Sequence, residues 1–262
     1  MDDIFNICGD DVVTAKMPLI GDMAPEFTAE TTNGPIKFPD DYRGKWVILF
    51  SHPSDFTSVC TSEFMTFQAM QSEFNELNTE LLGLSVGTIP SHLAWIQAIK
   101  NQVVFRGWKN MEITFPVIAD PTMEIAKKYG MVHPNAMANA AVRAVFIIDP
   151  KSKIRAIIYY PPSLGRNFAE IKRALIALQM TDAFGFSAPA DWVPGDEVLV
   201  AAPNTTAGVR ERIANTNPEW HIPAWFMTCR ALDADMIFNK IRSKSTDAHS
   251  PKKSKGTKKS GK

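Results

Sequence analysis

The sequence predicts an α/β protein in which helices flank a mixed β-sheet. One observation is a short apolar run rich in strand formers at 45–50, followed by apolar residues at spacings of three and four as far as Leu77 and then by a second apolar run at 81–86. Strand, helix and strand in this order predict a right-handed crossover between parallel strands. The other observation is a pair of β-rich runs at 141–149 and 153–160, joined by a proline-containing turn that is typical of a hairpin.

The remaining elements follow from turn and cap signals. Asn33-Gly34 between two extended segments predicts an N-terminal hairpin. Ser91 is a candidate N-cap for the next helix, and Gly130 is placed to end a helix that stops near Tyr129. A last helix is expected over 167–180.

We predict four segments along the chain. Residues 1–17 lack periodicity and are expected to form a flexible leader, and residues 18–185 form the α/β domain. Residues 186–242 are interrupted by prolines and rich in tryptophan, so we expect an arm that packs against a partner subunit. Residues 243–262 lack large apolar side chains and are expected to be a disordered, lysine-rich tail.

Composition is that of an ordinary globular protein, with 45% hydrophobic residues, 21% charged residues and a formal net charge of zero. The tail from Ser243 carries seven lysines against Asp247. Such a tail either binds polyanions or is simply solvated, and we do not expect a nucleic-acid partner. The sequence shows neither a signal-peptide pattern nor a run of eighteen apolar residues, and its three cysteines are scattered, so we expect a cytoplasmic protein with no membrane contact.

The segment 51–64 carries the chemistry. Cys60 falls at the predicted start of a helix, where unpaired N–H groups and the helix dipole favour a thiolate, the reactive form of cysteine. Pro53 stiffens the preceding loop, and Thr57 offers a hydroxyl one helical turn before the sulfur. The spacing is P-x-x-x-T-x-x-C. An isolated cysteine near a helix start is more often a small buried hydrophobe, but Cys60 is not isolated.

This segment resembles the active-site loop of the peroxiredoxins, and its flanks resemble the one-cysteine, peroxiredoxin six type. Further similar stretches occur in the same order along the chain: 19–27, 115–121, 142–149, 159–166 and 189–194. The resemblance implies a thioredoxin-like fold with a C-terminal dimerisation domain at 186–242. It also implies a thiol-dependent peroxidase that reduces hydrogen peroxide and organic hydroperoxides through a cysteine sulfenic acid.

The resemblance assigns roles to several further residues. Arg143 lies in an apolar run, where a cation either serves a site or points to water from a strand edge; the resemblance implies that it favours the Cys60 thiolate and binds peroxide oxygens. Arg166 is implied to give electrostatic support. His52 is either a general base or a hydrogen-bonding and positioning residue, and we favour positioning beside the substrate. Glu63 either holds Arg143 or Arg166, or is merely a favourable first-turn carboxylate.

The fate of the sulfenic acid is left open. Cys229 follows the aromatic pair Trp225-Phe226 and is a possible resolving cysteine from a second subunit; otherwise an external thiol, from a thioredoxin-like protein or a small molecule, resolves Cys60. Cys8 lies in the leader and is a weaker candidate. The resemblance also implies a homodimer that joins into a decameric ring.

Two alternatives come from other classes of function. The segment 83–87 matches G-x-S-x-G, the motif of serine hydrolases, but Thr88-Ile89-Pro90 is expected to break the chain where that motif needs a helix. The assembled ring could also be a holdase for unfolded chains, which a thermal-aggregation assay on a Cys60 mutant would separate from catalysis. We expect neither a metal site nor a cofactor.

Overall fold

The computed structural model describes residues 17–248, with side chains for 17–243. The elements in chain order are β1 (Phe27–Thr31), β2 (Gly34–Phe38), a 3-10 turn (Asp40–Tyr42), β3 (Trp46–Ser51), α1 (Ser58–Glu76), β4 (Thr79–Ser85), α2 (Ile89–Gln102), β5 (Val117–Ala119), α3 (Glu124–Lys128), β6 (Arg143–Ile148), β7 (Ile154–Tyr160), α4 (Phe168–Phe184), β8 (Val198–Val200), α5 (Thr206–Ile213), β9 (Trp220–Ala224), β10 (Met227–Arg230) and α6 (Ala234–Ala248). Within this described part, no helix has both the length and the apolar character needed to cross a bilayer.

The first seven strands form one mixed sheet in the order β2-β1-β5-β4-β3-β6-β7. β3, β4 and β5 run parallel, whereas β6 and β7 form an antiparallel pair beside β3. Three predictions are therefore confirmed: the parallel pair of β3 and β4 around α1, the hairpin of β1 and β2 at Asn33-Gly34, and the hairpin of β6 and β7. The thioredoxin-like α/β class is confirmed with them.

β3 is buried on both faces, because its alternate residues enter two separate hydrophobic layers. Ile48 and Phe50 belong to the layer that α1, α2, α4 and α6 cover, and Val47 and Leu49 belong to the layer that α3 covers. A central strand with helices over both faces reads as a continuous apolar run, which is what residues 45–50 show. The active loop leaves the carboxyl end of this strand.

The start of α2 differs from the prediction. Thr88 is its N-cap, and the Thr88 hydroxyl oxygen accepts the backbone N–H of Ser91 at 3.4 Å. Ser91 is thus wrong as the cap, and Pro90 does not break the chain. Proline is tolerated in a first helical turn because its missing N–H would have no helical partner there.

The C-terminal part contains more regular structure than the sequence indicated. β8, β10 and β9 form a small antiparallel sheet in that order. Pro223 lies in β9, an edge strand, where a missing N–H interrupts no inner ladder. Trp192 and Ile237 are wholly buried in the same hydrophobic layer as α1 and α4, so this segment also contributes to the main core.

The predicted tail begins within a helix. α6 runs to Ala248, so the expectation of disorder from Ser243 is wrong for residues 243–248. The helix is anchored by Ile237 and Ile241, one turn apart on its buried side, and propagation beyond an anchored turn costs little because each added residue gains a hydrogen bond. The rest of the tail and almost all of the predicted leader lie outside the described residues.

Candidate active site

Cys60 occupies the first turn of α1, directly after the loop that leaves β3. Thr57 is the N-cap, with extended backbone, and its carbonyl accepts the first helical N–H, that of Thr61, at 2.9 Å. The Cys60 side chain is wholly buried. The structure therefore has the strand, loop and helix order that was predicted around the sulfur.

Arg143 reaches the sulfur from the start of β6. Its Nη1 lies 3.3 Å from Cys60 Sγ and 2.7 Å from Glu63 Oε2. Its Nε and Nη2 both donate to the carbonyl oxygen of Pro162, at 3.0 and 2.7 Å. Arg143 is only 2% exposed, so its side chain does not point to water from a strand edge. These contacts fix the donor against the sulfur.

Glu63 lies one turn after Cys60 and joins two arginines. Its Oε1 accepts both the backbone N–H and the Nε–H of Arg166 at 2.9 Å, and its Oε2 accepts Nη2 of Arg166 at 2.6 Å. Arg166 Nη1 donates to the carbonyls of Ser51 and Ala144. Arg166 thus reaches the sulfur only indirectly, through Glu63 and Arg143.

A surface cleft of about 440 Å³ lies over these residues and is lined by, among others, Pro53, Thr57, Arg143 and Pro162. The Thr57 hydroxyl donates to the carbonyl of Ser54 at 3.0 Å rather than to the sulfur. A larger cleft of about 750 Å³, beside Trp46 and Gln179, includes none of the predicted site residues. The smaller cleft is therefore the one that borders Arg143 and the loop before Cys60.

His52 belongs to a buried cluster that was not predicted. Its Nε2 lies 3.0 Å from Asp55 Oδ1, and His92 Nδ1 lies 2.8 Å from Asp55 Oδ2, which also accepts the Ser91 hydroxyl at 2.6 Å. Burial raises the pKa of Asp55, but the hydrogen bonds from His52, His92 and Ser91 outweigh it and hold that pKa below its usual range. Burial lowers the pKa of His52, more than Asp55 raises it. Among the described residues, His52 Nδ1 and His92 Nε2 have no hydrogen-bond partner.

The sequence offered a weak signal for this cluster. Asp55 follows His52 by three residues within the motif, but His92 comes from α2, 37 positions beyond Asp55. No local spacing connects the two. Pro162, whose carbonyl holds Arg143, gave no signal because a backbone acceptor is independent of residue type.

Cys229 lies in β10, the central strand of the small sheet, and is buried. Cys60 and Cys229 are both free thiols. Burial raises the pKa of Cys229, and Glu197, which accepts a hydrogen bond from it, raises that pKa further. Cys8 lies outside the described residues.

The G-x-S-x-G segment has a structural explanation. Ser85 is wholly buried, and its hydroxyl oxygen accepts the N–H of Gly87 at 3.1 Å. A Cβ on Gly87 would lie 2.7 Å from the ring of His92 and 3.0 Å from Asp55, so only glycine fits beside the buried cluster. The segment therefore does not form an exposed serine nucleophile.

Comparison with known proteins gives two family matches. The AhpC/TSA family model matches residues 20–157, and the C-terminal domain of 1-Cys peroxiredoxin matches residues 177–215. A protein named peroxiredoxin from Methanosarcina mazei is 57% identical over 211 residues, which span 80% of this chain and 96% of that relative.

Two solved structures are similar over most of the chain. A yeast mitochondrial 1-Cys peroxiredoxin, studied for thiol resolution through the glutathione and thioredoxin systems, has a TM-score of 0.71 and 36% identity, covering 82% of this chain and 100% of that one. A mutant of peroxiredoxin 6 from Arenicola marina has a TM-score of 0.72 and 32% identity, covering 82% of this chain and 99% of that one.

Proposed function

This chain belongs to the peroxiredoxin family, and we propose that Cys60 is the residue through which it reduces peroxides. The protein is a thiol-dependent peroxidase of antioxidant defence, with a peroxide as substrate and a thioredoxin-type thiol as reductant. The observation that carries the assignment to Cys60 is the 3.3 Å contact between its sulfur and Arg143 Nη1.

The charges around the sulfur support a thiolate. Arg143 and Arg166 carry two positive charges, and Glu63 supplies one negative charge in the same buried cluster. Without a thiolate, one positive charge would remain unbalanced in a region that excludes water. Because a buried uncompensated charge is costly, the cluster favours the ionised sulfur.

The reaction then follows from the donors that the chain holds in place. The Cys60 thiolate attacks one peroxide oxygen, the O–O bond breaks, and sulfenic acid forms on the sulfur. The second oxygen leaves with the bonding electron pair, takes up a proton and departs as water or alcohol. Arg143 Nη2 has a second N–H beyond the one that it donates to Pro162, and this N–H donates toward the developing oxyanion; such fixed donors lower the barrier because they need no reorganisation. Pro53 and Thr57 line the cleft through which the peroxide enters. His52 positions the loop before Cys60 through its contact with Asp55.

Cys60→Ser tests this assignment directly. We expect peroxide consumption with dithiothreitol as reductant to fall to the background rate, because a serine hydroxyl cannot replace the thiolate. Cys229→Ser is the matched control and retains turnover, since dithiothreitol can resolve the sulfenic acid by itself. Wild-type turnover in Cys60→Ser would remove Cys60 from the mechanism.

Resolution and assembly form the second part of the proposal. We propose that Cys229 of a second subunit attacks the Cys60 sulfenic acid to give a disulfide and water, and that a thioredoxin-like protein or a small thiol then reduces this disulfide. The exposed pair Trp225 and Phe226, at the turn between β9 and β10, supports docking of this segment on a partner.

The edge of the large sheet supports the dimer as well. β7 is an edge strand, and its residues 155–160 are only partly buried in the single chain. Unpaired edges of this kind accept a second strand. By resemblance to relatives, we propose that dimers close into a decameric ring. We also propose a cytoplasmic location, which the scattered free cysteines support.

A further inference from the structure

The small C-terminal sheet gathers three metal-binding side chains. Cys229 in β10 is paired with His221 in β9 and with Leu199 in β8. Side chains directly opposite each other in a sheet share a face, and so do residues two apart in one strand. Glu197 directly precedes β8, and its carboxylate accepts a hydrogen bond from Cys229, so it lies beside the same pair. A ligand atom from each of the three lies within 4.8 Å of the others.

The separation of His221 and Glu197 is close to that of two ligands in a tetrahedral zinc site. With Zn–S of about 2.3 Å and Zn–N or Zn–O of about 2.0–2.1 Å, two ligand atoms on one zinc lie about 3.3–3.6 Å apart. His221 Nδ1 and Glu197 Oε2 are 3.7 Å apart, which is too long for a hydrogen bond and close to the separation that a shared zinc requires. Both side chains are largely exposed, at 67% and 49%, so small rotations can complete the site.

We propose that Glu197, His221 and Cys229 bind a zinc ion, with water as the fourth ligand. A thiolate with an imidazole and a carboxylate suits Zn²⁺, whereas Ca²⁺ and Mg²⁺ require sets made of oxygen alone. On binding, the Cys229 thiol releases its proton to solvent and the sulfur binds the metal as a thiolate. No electron is transferred.

Zinc at this site controls the resolving step, a consequence that rests on the role proposed above for Cys229. A sulfur bound to zinc cannot attack the Cys60 sulfenic acid. Occupied subunits then depend on an external thiol, and empty subunits form the intersubunit disulfide. The metal site itself is independent of this role, because binding needs neither peroxide nor Cys60.

Cobalt titration of the reduced full-length protein tests the site, because a thiolate ligand gives Co²⁺ a sulfur-to-metal charge-transfer band. We expect the band to saturate at one Co²⁺ per chain, to disappear on addition of Zn²⁺ and to resist Ca²⁺. Cys229→Ser abolishes it, whereas Cys60→Ser leaves it unchanged. His221→Gln and Glu197→Gln weaken binding about tenfold or more, since loss of even an outer-shell partner typically costs 10–100-fold.

Three results would overturn the site: no band in the wild-type protein, a band that persists in Cys229→Ser, or a Co²⁺ affinity in both His221→Gln and Glu197→Gln that equals that of the wild-type protein. The regulatory consequence has a separate readout. Zinc-loaded protein treated with one equivalent of peroxide is expected to give at least about fivefold less disulfide-linked dimer on a non-reducing gel than metal-free protein. Equal amounts would refute control of resolution by zinc, while the cobalt result would still decide the site.

Discussion

Arg143 Nη1 lies 3.3 Å from the sulfur of Cys60, although the two residues are 83 positions apart in the chain. The same nitrogen also donates to Glu63, one turn beyond Cys60. The sulfur and the carboxylate are thus held by one guanidinium, whose Nε and Nη2 each donate one hydrogen to the Pro162 carbonyl. This arrangement makes the reactivity of Cys60 depend on the pairing of β6 with β3.

Replacement of Arg143 by methionine is expected to slow the reaction of Cys60 with peroxide about 100-fold, the usual cost of one lost oxyanion donor. Alkylation of Cys60 by iodoacetamide at neutral pH slows as well, because the thiolate loses its neighbouring charge. Arg143→Lys keeps the charge but not the two donors to Pro162, and falls in between. Unchanged rates in Arg143→Met, with an unchanged circular dichroism spectrum, would remove Arg143 from the site.

Glu63→Gln is expected to destabilise the fold by about 3–5 kcal/mol, measured by urea unfolding, because it leaves Arg143 and Arg166 buried without their shared anion. Glu73→Gln is the matched control on the same helix. Glu73 pairs with Lys172 at the partly exposed surface, so its loss changes the free energy of unfolding by about 1 kcal/mol at most. Similar effects of the two changes on the free energy of unfolding would show that Glu63 does not stabilise the two buried arginines.

The buried His52 predicts acid sensitivity. Burial lowers its pKa in the folded state, whereas in the unfolded chain it takes up a proton below about pH 6.5. The stabilising contribution is therefore present above about pH 6.5 and is lost as pH falls, with a slope of up to about 1.4 kcal/mol per pH unit. Asp55, whose pKa is held low, adds a further loss below about pH 4.

Denaturant unfolding between pH 7.5 and pH 5 measures the histidine effect. We expect the free energy of unfolding to fall over this range in the wild-type protein and in His133→Gln, a control at a partly buried histidine outside the Asp55 cluster. His52→Gln flattens the fall, and extending its titration to pH 3 is expected to show the remaining Asp55 loss below about pH 4. An equally steep fall in His52→Gln would assign the acid sensitivity to other groups.

Local sequence signals predicted local features well. The hairpin predicted from Asn33-Gly34 is present, with Gly34 at a φ of +104° that favours glycine, and the P-x-x-x-T-x-x-C spacing indicated the start of α1. Glu63 was left with two readings because its partners come from β6 and from the segment before α4, and only the folded chain brings them together. His92 was missed for the same reason. The short strands of the C-terminal sheet, three to five residues each, were too brief for an alternating pattern to emerge.

Phe226→Ser is expected to weaken the dimer, because Phe226 is 62% exposed in the single chain and forms an edge-on pair with Trp225. Sedimentation across a dilution series measures the change, and Ile20→Ser, at a similarly exposed residue far from the arm in sequence, serves as control. Deletion of residues 186–242 is a poorer test, because it removes Trp192 and Ile237 from the main core. An unaltered dimer in Phe226→Ser would exclude this turn from the interface.

The proposed disulfide would join two buried cysteines. Cys229 is hydrogen-bonded into the middle of its sheet, and Cys60 is wholly buried in the first turn of α1. A disulfide needs Cα atoms within about 7 Å, so both segments must open locally before the sulfurs can meet. We expect one equivalent of peroxide, followed by blocking of free thiols, to give a disulfide-linked dimer on a non-reducing gel. The dimer is absent in Cys229→Ser. Its yield rises in low concentrations of urea, which favour opening of the small sheet before the main core unfolds. A monomer band with Cys229 fully alkylated would instead leave resolution to an external thiol.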